Sequence, residues 1–432
     1  MLAFEGKKLL CVTLGCKLNF AETSSIGRML LHEGFVLCNA GEHADVCIVN
    51  TCSVTDTADR KCRQAIHRVV REQPDAFVIV TGCYAQLKPD EVAHINGVDM
   101  VLGTNEKMAL PEFLQCLEKR TQAEVHSVKT AQIRAFAPTC SANDRTRHFL
   151  KIQDGCDCYC TYCTIPFARG RSRSATIAET VQVAQQAIET GAREIVLTGV
   201  NTGDFGKPAG ETFLQLLRAL DALNYDGRFR ISSIEPDLLS KDIIALVAAS
   251  PHFTPHFHMP LQSGSDAVLA LMHRRYDTAL FAAKVDMVRH LMPHAFIGVD
   301  VMVGCRGETE AYFDDTCRFI DGLEVSRLHV FTYSERAHTQ ALHINHSVPQ
   351  AERKRRSDIL HRISTEKLQR FYAGQMGQRH TVLWETTRHD RCMHGFTENY
   401  VRCTMPYDAS LINTFQSIVL TPDNTVMRVD EE

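Results

Sequence analysis

The chain has 432 residues, 44% hydrophobic and 23% charged, with a formal net charge of −4. That length accommodates two or three domains with substantial cores, and the charge argues against a uniformly basic nucleic-acid binder. No apolar run reaches the length of a membrane span, and the start MLAFEGKKLLCVTLGC lacks a signal-peptide cleavage pattern, so a cytoplasmic chain without membrane contact is expected. In a reducing compartment the odd number of 17 cysteines reads as ligands and buried thiols rather than a disulfide framework.

From Lys7 to about Lys119, short β-branched runs alternate with helical periods. Strands are predicted at Leu9–Leu14, Ala44–Asn50, Phe77–Thr81 and Asp99–Leu102, with helices at Glu22–Glu33, Ala58–Glu72 and Lys88–Ile95. Such alternation predicts an α/β fold opening with a doubly wound parallel sheet, over residues 1–120. Residues 121–145 are polar and irregular and read as a linker. From Arg147 six larger β/α units follow, with strands at His148–Gln153, Glu194–Val200, Phe229–Ile234, His256–Leu261, Ile297–Val303 and Arg327–Tyr333. Six units predict an open (β/α)6 barrel rather than the closed eight-unit form, and with the amphipathic helix Gln350–Phe371 this domain covers residues 146–373. Residues 374–432 change to an all-β pattern, with strands at His380–Thr386, Phe396–Thr404, Thr414–Leu420 and Val426–Val429, as in a small antiparallel barrel. Three basic runs, 60–71, 168–173 and 352–362, are candidate RNA contacts, although each alone reads better as a solvated helix face or loop.

The sharpest local signal is GCDCYCTYC at 155–163, which holds Cys156, Cys160 and Cys163 in a CxxxCxxC spacing with Tyr162 before the last thiol. Chance places roughly 0.03 such triplets in a chain with this cysteine content. Three thiolates on one loop hold three irons of a cubane and leave the fourth open for a reactant, here S-adenosylmethionine, chelated through its amino and carboxylate groups. Zinc would want paired CxxC units and a fourth ligand, and no second CxxC follows. Cys158 creates a competing CxCxxC reading; it is expected to be a free thiol turned away from the others.

Cys16, Cys52 and Cys83 each follow a predicted strand of the first domain, in TLGC, VNTC and VTGC. Loops beyond the carboxyl ends of parallel strands converge on one crevice, so three thiols delivered there form a second three-ligand site. Cys11 and Cys47 fall inside strands and read as buried thiols. In the barrel, the same rule points to strand ends: Thr198, Gly199 and Asn201 in TGVNTG, Ser233 and Glu235 in SSIEP, Gln262 and Ser263 in MPLQSGS, and Asp300 before GCRGET. Individually these are caps or turn formers; together they form the wall of a cofactor pocket.

The motifs TLGCKLNFAET, NTCSVTDTADRK, TGCYAQ, QDGCDCYCTYCTIPFARGRSRS, HMPLQSGSDAVLALMHRRY and GFTENYVRC make the chain resemble, over nearly its whole length, a radical S-adenosylmethionine methylthiotransferase. GCK at Cys16, CSVTDTADRK and FARGRSRS are most similar to the threonylcarbamoyladenosine tRNA branch. The isopentenyladenosine branch usually has GCQMN there, and the ribosomal-protein aspartate branch GCPKN. The resemblance implies an auxiliary [4Fe–4S] cluster on Cys16, Cys52 and Cys83, a radical [4Fe–4S] cluster on Cys156, Cys160 and Cys163, and a C-terminal RNA-binding barrel of the TRAM (OB-like) type. There, Phe396 and Tyr400 could stack on bases or fill the core, and Arg402 could meet phosphate. Two departures stand out: Cys305–Arg306 replace a usual Phe-Pro, and His338–Thr339 a usual Gly-Thr.

As the resemblance implies, one S-adenosylmethionine methylates a sulfur at the auxiliary cluster, and a second is cleaved to a 5′-deoxyadenosyl radical that activates carbon 2 of the modified adenine beside the anticodon. The partners implied are tRNA and an electron donor of the flavodoxin or ferredoxin type; the sulfur donor is not specified. The rivals are the same chemistry on isopentenyladenosine or a ribosomal-protein aspartate, and, from another class, a noncatalytic metal-stabilised RNA-binding protein.

Overall fold

The computed structural model describes residues 4–39, 41–141, 146–389 and 391–427, with side chains of 387–389 left aside. Its first unit is a parallel sheet of β1 (Lys8–Thr13), β2 (Val36–Leu37), β3 (Val46–Thr51), β4 (Phe77–Gly82), β5 (Met100–Leu102) and β6 (Glu124–His126), in the order β2-β1-β3-β4-β5-β6. The central runs VCIVNT and FVIVTG are buried at every residue, as strands covered on both faces must be. Cys47, Val49, Val78 and Val80 pack with Cys62, Ile66 and Val69 of the helix Asp56–Glu72. Val46, Ile48, Phe77 and Ile79 pack with Ile26 and Leu30 of the helix Lys17–His32 on the other face.

That second helix starts five residues before the periodicity suggested. Cys16 is its N-cap, and Asn19 and Glu22, polar in sequence, are fully buried in its first turns. Within the segment read as a linker, β6 completes the sheet and β7 (Thr139–Cys140) edges the barrel. Two- and three-residue strands are too short to show a period.

The barrel strands are β8 (Arg147–Lys151), β11 (Glu194–Thr198), β12 (Arg228–Ile231), β13 (His256–Gln262), β14 (Phe296–Val303) and β15 (Arg327–Thr332). They form the sheets β12-β11-β8-β7 and β13-β14-β15, joined by parallel bridges Phe229–Phe253 and Ser233–His258 around one continuous apolar core. A two-stranded antiparallel ribbon, β9 (Gln153–Asp154) with β10 (Arg173–Ser174), closes the base of the cysteine loop.

The last unit is an antiparallel sheet of β16 (Arg379–His389), β17 (Cys392–Thr397), β18 (Arg402–Pro406) and β19 (Phe415–Val419), in the order β18-β17-β16-β19. The predicted strand 396–404 is in fact two strands around a turn, because Tyr400 takes a left-handed φ of 69° that no strand accommodates. Of the predicted strand 426–429, residues 428 and 429 lie outside the described residues; Thr425 makes a single bridge to Cys403. This unit docks on the amino ends of the barrel strands. Arg228 and Arg230 share Glu194 and donate to the carbonyls of Thr381, Phe396, Thr397 and Glu398. No helix of the described residues is long and apolar enough to cross a membrane.

Candidate functional site

The loop after β9 begins at Gly155, whose φ is +71° and where a Cβ would sit 2.0 Å from the Arg171 carbonyl oxygen, so only glycine fits. The turn then gives each sulfur a donor. The Cys158 amide donates to Cys156 Sγ at 3.4 Å, the Ile165 amide to Cys163 Sγ at 3.5 Å, and Arg274 Nη1 to Cys160 Sγ at 3.0 Å. Donors aimed at sulfur favour the thiolate and tune a cluster's potential. Against them, burial and the neighbouring Cys160 push the Cys163 thiol up to about 12, so loading a metal centre must expel its proton. Cys158 contacts the triad through its backbone amide, and its thiol is free and half-buried.

Arg274 was not singled out from sequence, although it stands in the motif HRRY. Its guanidinium joins Cys160 to Glu235 and to Tyr276 Oη at 3.1 Å, and it is nearly buried. Burial raises the Glu235 carboxyl, and Arg274 opposes that. Gln153, likewise not foreseen, connects three parts of the site. Its Nε2 donates to the Gly155 carbonyl at 2.8 Å and to Ser172 Oγ at 2.9 Å, and its Oε1 accepts from the Asn201 amide at 2.9 Å.

The strand-end residues sort into two groups. Asn201 Oδ1 accepts from the Glu235 amide at 3.4 Å, while its Nδ2 is buried with no partner in the protein. Gln262 sits at a β-bulge with φ 63°, and its Oε1 is likewise buried and unpartnered. A bulge of this kind re-aims a side chain. One orphaned donor and one orphaned acceptor are what a ligand with amino and carboxylate groups requires. Asp300 pairs with His258 Nε2 at 2.8 Å on the neighbouring strand, which holds its carboxyl below the ordinary range despite burial. Ser263 is directed elsewhere, to Thr316 Oγ1 at 3.0 Å, and Thr198 Oγ1 bonds to the Val196 carbonyl at 3.0 Å. Gly199 lies against Gln153, and the Ser233 carbonyl accepts from Thr202 Oγ1 at 2.9 Å. Tyr162 is half-buried beside Arg274, Cys160 and Cys163; burial and the two thiols push its phenol well above its ordinary pKa, against the pull of Arg274.

In the first unit, the loops beyond β1, β3 and β4 bring Cys16, Cys52 and Cys83 within electrostatic range of one another. Gly15 (φ +101°) presses so closely that a Cβ there would lie 2.6 Å from Cys52 Cβ. Burial and the other two thiols push Cys52 up to about 12. Asn19 spans the crevice, its Nδ2 donating to the carbonyls of Leu14 at 2.7 Å and Thr51 at 3.0 Å. Cys62 lies behind the site, its thiol accepting from the Cys52 amide at 3.3 Å. Among the described residues no group of His, Cys, Asp or Glu converges tightly enough for a single metal ion.

The two cysteine regions are docked to each other. Thr164 Oγ1, just after Cys163, donates to the Ser53 carbonyl, just after Cys52, at 3.3 Å. Arg336 donates to Ser53 Oγ at 2.8 Å and pairs with Asp59 at 3.0 Å. Arg169 donates to Asn19 Oδ1 at 2.5 Å.

These contacts correct the reading of the basic runs. Arg169 and Arg173 are buried, as are Arg353 and Arg356, the latter paired with Glu308 at 2.8 Å. The helix Asp56–Glu72 turns Arg60, Lys61, Arg68 and Arg71 outward, and Arg171, Lys354, Arg355 and Arg362 are exposed as well. Phe396 and Tyr400 are also committed. They stack on each other at 4.7 Å between ring centres, with Arg147 4.6 Å above Phe396 and Arg230 4.9 Å above Tyr400.

Residues 150–320 match the radical SAM superfamily, and residues 8–103 match an uncharacterised protein family, UPF0004. The fold is similar to that of the radical S-adenosylmethionine methyltransferase TsrM from Kitasatospora setae, solved with cobalamin and a [4Fe–4S] cluster, with a TM-score of 0.56 and 14% identity over 76% of this chain and 75% of that one. A cysteine-bearing loop on such a barrel defines a radical SAM enzyme. Threonylcarbamoyladenosine tRNA methylthiotransferase MtaB of Bacillus subtilis is 37% identical over 90% of this chain and 88% of its own length. The tRNA-2-methylthio-N(6)-dimethylallyladenosine synthase of Geobacter sulfurreducens is 31% identical over 97% and 96%. The chain belongs to the radical SAM tRNA methylthiotransferase family.

Proposed function

We propose that the chain methylthiolates carbon 2 of N6-threonylcarbamoyladenosine next to the anticodon, with two [4Fe–4S] clusters and two S-adenosylmethionine molecules per product. The observation that carries this is the docking of the two three-cysteine regions through Thr164, Arg336 and Arg169, as a radical-forming loop working beside a second cluster would require. The choice of substrate follows the relatives: those named for threonylcarbamoyladenosine reach 37% identity, and one named for dimethylallyladenosine 31%.

When bound, the clusters and S-adenosylmethionine supply a carbon radical on one side and a transferable sulfur on the other. The chain's own part is to hold and to orient. Cys156, Cys160 and Cys163 would hold the radical cluster, with Arg274 steadying Cys160 and neutralising Glu235. Asn201 Nδ2 and Gln262 Oε1 would orient the cofactor's carboxylate and amino groups. Cys16, Cys52 and Cys83 would hold the auxiliary cluster. Tyr276 is buried and donates to the Pro260 carbonyl, which holds it beside Arg274.

The target base must leave its stack to enter the barrel mouth, and the cations of the helix Asp56–Glu72 would engage RNA phosphates, so binding should weaken steeply with salt. The four-stranded C-terminal sheet would act as a TRAM-type RNA module through faces other than Phe396 and Tyr400. All 17 cysteines are free thiols, which suits the cytoplasm and a flavodoxin- or ferredoxin-type reductant.

The test is anaerobic turnover on anticodon stem-loops carrying threonylcarbamoyladenosine or isopentenyladenosine, and on the ribosomal-protein substrate. Product on the first alone supports the proposal. Product only on the protein, or zinc in place of iron and no deoxyadenosine, overturns it.

A further inference from the structure

Between the two cysteine regions lies a buried cluster of six charged side chains contributed by both units. Glu22 contacts Lys107 at 2.6 Å, Lys151 at 2.7 Å and Arg169 at 3.2 Å. Asp154 contacts Lys151 at 2.8 Å, Arg169 at 3.0 Å and Arg173 at 3.1 Å. Glu22, Lys107, Asp154 and Arg169 are at most 2% exposed at the side chain. Four cations therefore face two carboxylates, and two positive charges have no counter-charge inside the network.

Burying surplus charge is costly unless an opposite charge is close. The surplus lies on the side of the N-terminal thiols. Arg169 reaches Asn19, which ties the Cys16 and Cys52 loops together, and Lys107 pairs with Glu22 on the helix that Cys16 caps. A cubane core held by three thiolates carries one net negative charge. A hydrosulfide on its open iron makes that two, the charge the network lacks.

We infer that Arg169 and Lys107 are positioning residues that hold a sulfur anion on the open iron of a cluster bound by Cys16, Cys52 and Cys83. This rests on the two-cluster reading above. The same cations favour the reduced cluster, because one-electron reduction adds a negative charge beside them. Arg169 stands six residues after Cys163, so the barrel loop supplies the charge that the other unit's sulfur needs.

The experiment uses the full chain with Cys156, Cys160 and Cys163 replaced by Ala, so that only the auxiliary cluster remains. Iron content, midpoint potential and affinity for added sodium sulfide, read by electron paramagnetic resonance, are compared with and without Arg169→Gln. The expected result is retained iron, a potential shifted to more negative values and sulfide affinity weakened about tenfold or more, with Arg169→Lys restoring most of both. An unchanged potential and sulfide affinity in an iron-loaded Arg169→Gln chain overturns the inference. If Arg169→Gln fails to load, Lys107→Met carries the same measurement. If the parent lacking the barrel cysteines holds no iron, the two-cluster reading itself fails, and the assignment of Arg169 and Lys107 falls with it.

Discussion

In the barrel loop, eight consecutive residues supply three thiols, and local amides with Arg274 supply their donors. In the N-terminal crevice the thiols come from three separate loops, and Asn19 must bridge the carbonyls of Leu14 and Thr51 to keep two of them in place. The first site is assembled by local chain geometry. The second exists only once a parallel sheet has aligned its strand ends, so it should be the more fragile of the two.

The most direct challenge to that contrast is to remove each triad in turn. Cys156/Cys160/Cys163→Ala should lower iron from about eight to about four per chain and abolish deoxyadenosine release. Cys16/Cys52/Cys83→Ala should lose the same iron yet still cleave S-adenosylmethionine without forming methylthio product. Iron analysis and chromatography of both products decide it. Equal loss of deoxyadenosine in both variants would mean that the sites are not separable.

A subtler cut targets the supports. Glu22→Gln leaves Lys107, Lys151 and Arg169 with less counter-charge and should cost about 3–5 kcal/mol in denaturant unfolding. Asn19→Ala strands two carbonyls and should cost about 1–3 kcal/mol, with the auxiliary iron lost before the barrel iron. If iron leaves both sites together, the crevice is no more fragile than the loop. Cys158→Ser should leave iron content at both sites unchanged, in keeping with three thiols sufficing in the loop.

Acid should separate the regions as well. Their lysine and arginine partners hold Glu22 and Asp154 well below the usual carboxylate range. Their folded pKa values lie beneath the unfolded ones, so their contribution is complete above about pH 4–5 and is lost as pH falls toward the folded values. Thermal unfolding followed from pH 7 to pH 3 should show that loss, and Glu22→Gln should flatten it. The smallest effect belongs to the exposed helix. Exchanging Lys61 or Arg68 for Gln should raise KM for RNA a few-fold and reduce the salt slope by about one for each phosphate no longer neutralised.

The amino-acid order alone was enough for the six β/α units, the parallel N-terminal sheet and, through resemblance, the family. These signals are local: a spacing, a period, or a glycine before a thiol. It took the folded chain to turn Arg169 and Arg173 inward, to bring Arg274 to Cys160, and to spend Phe396 and Tyr400 on docking the last sheet. Nothing local in ARGRSR tells a buried arginine from an exposed one, because its partners Glu22 and Asn19 lie well over a hundred residues away in the chain. The helix Lys17–His32 hid its own start for the same reason. Its buried Asn19 and Glu22 read as surface until the barrel supplies the charges they face.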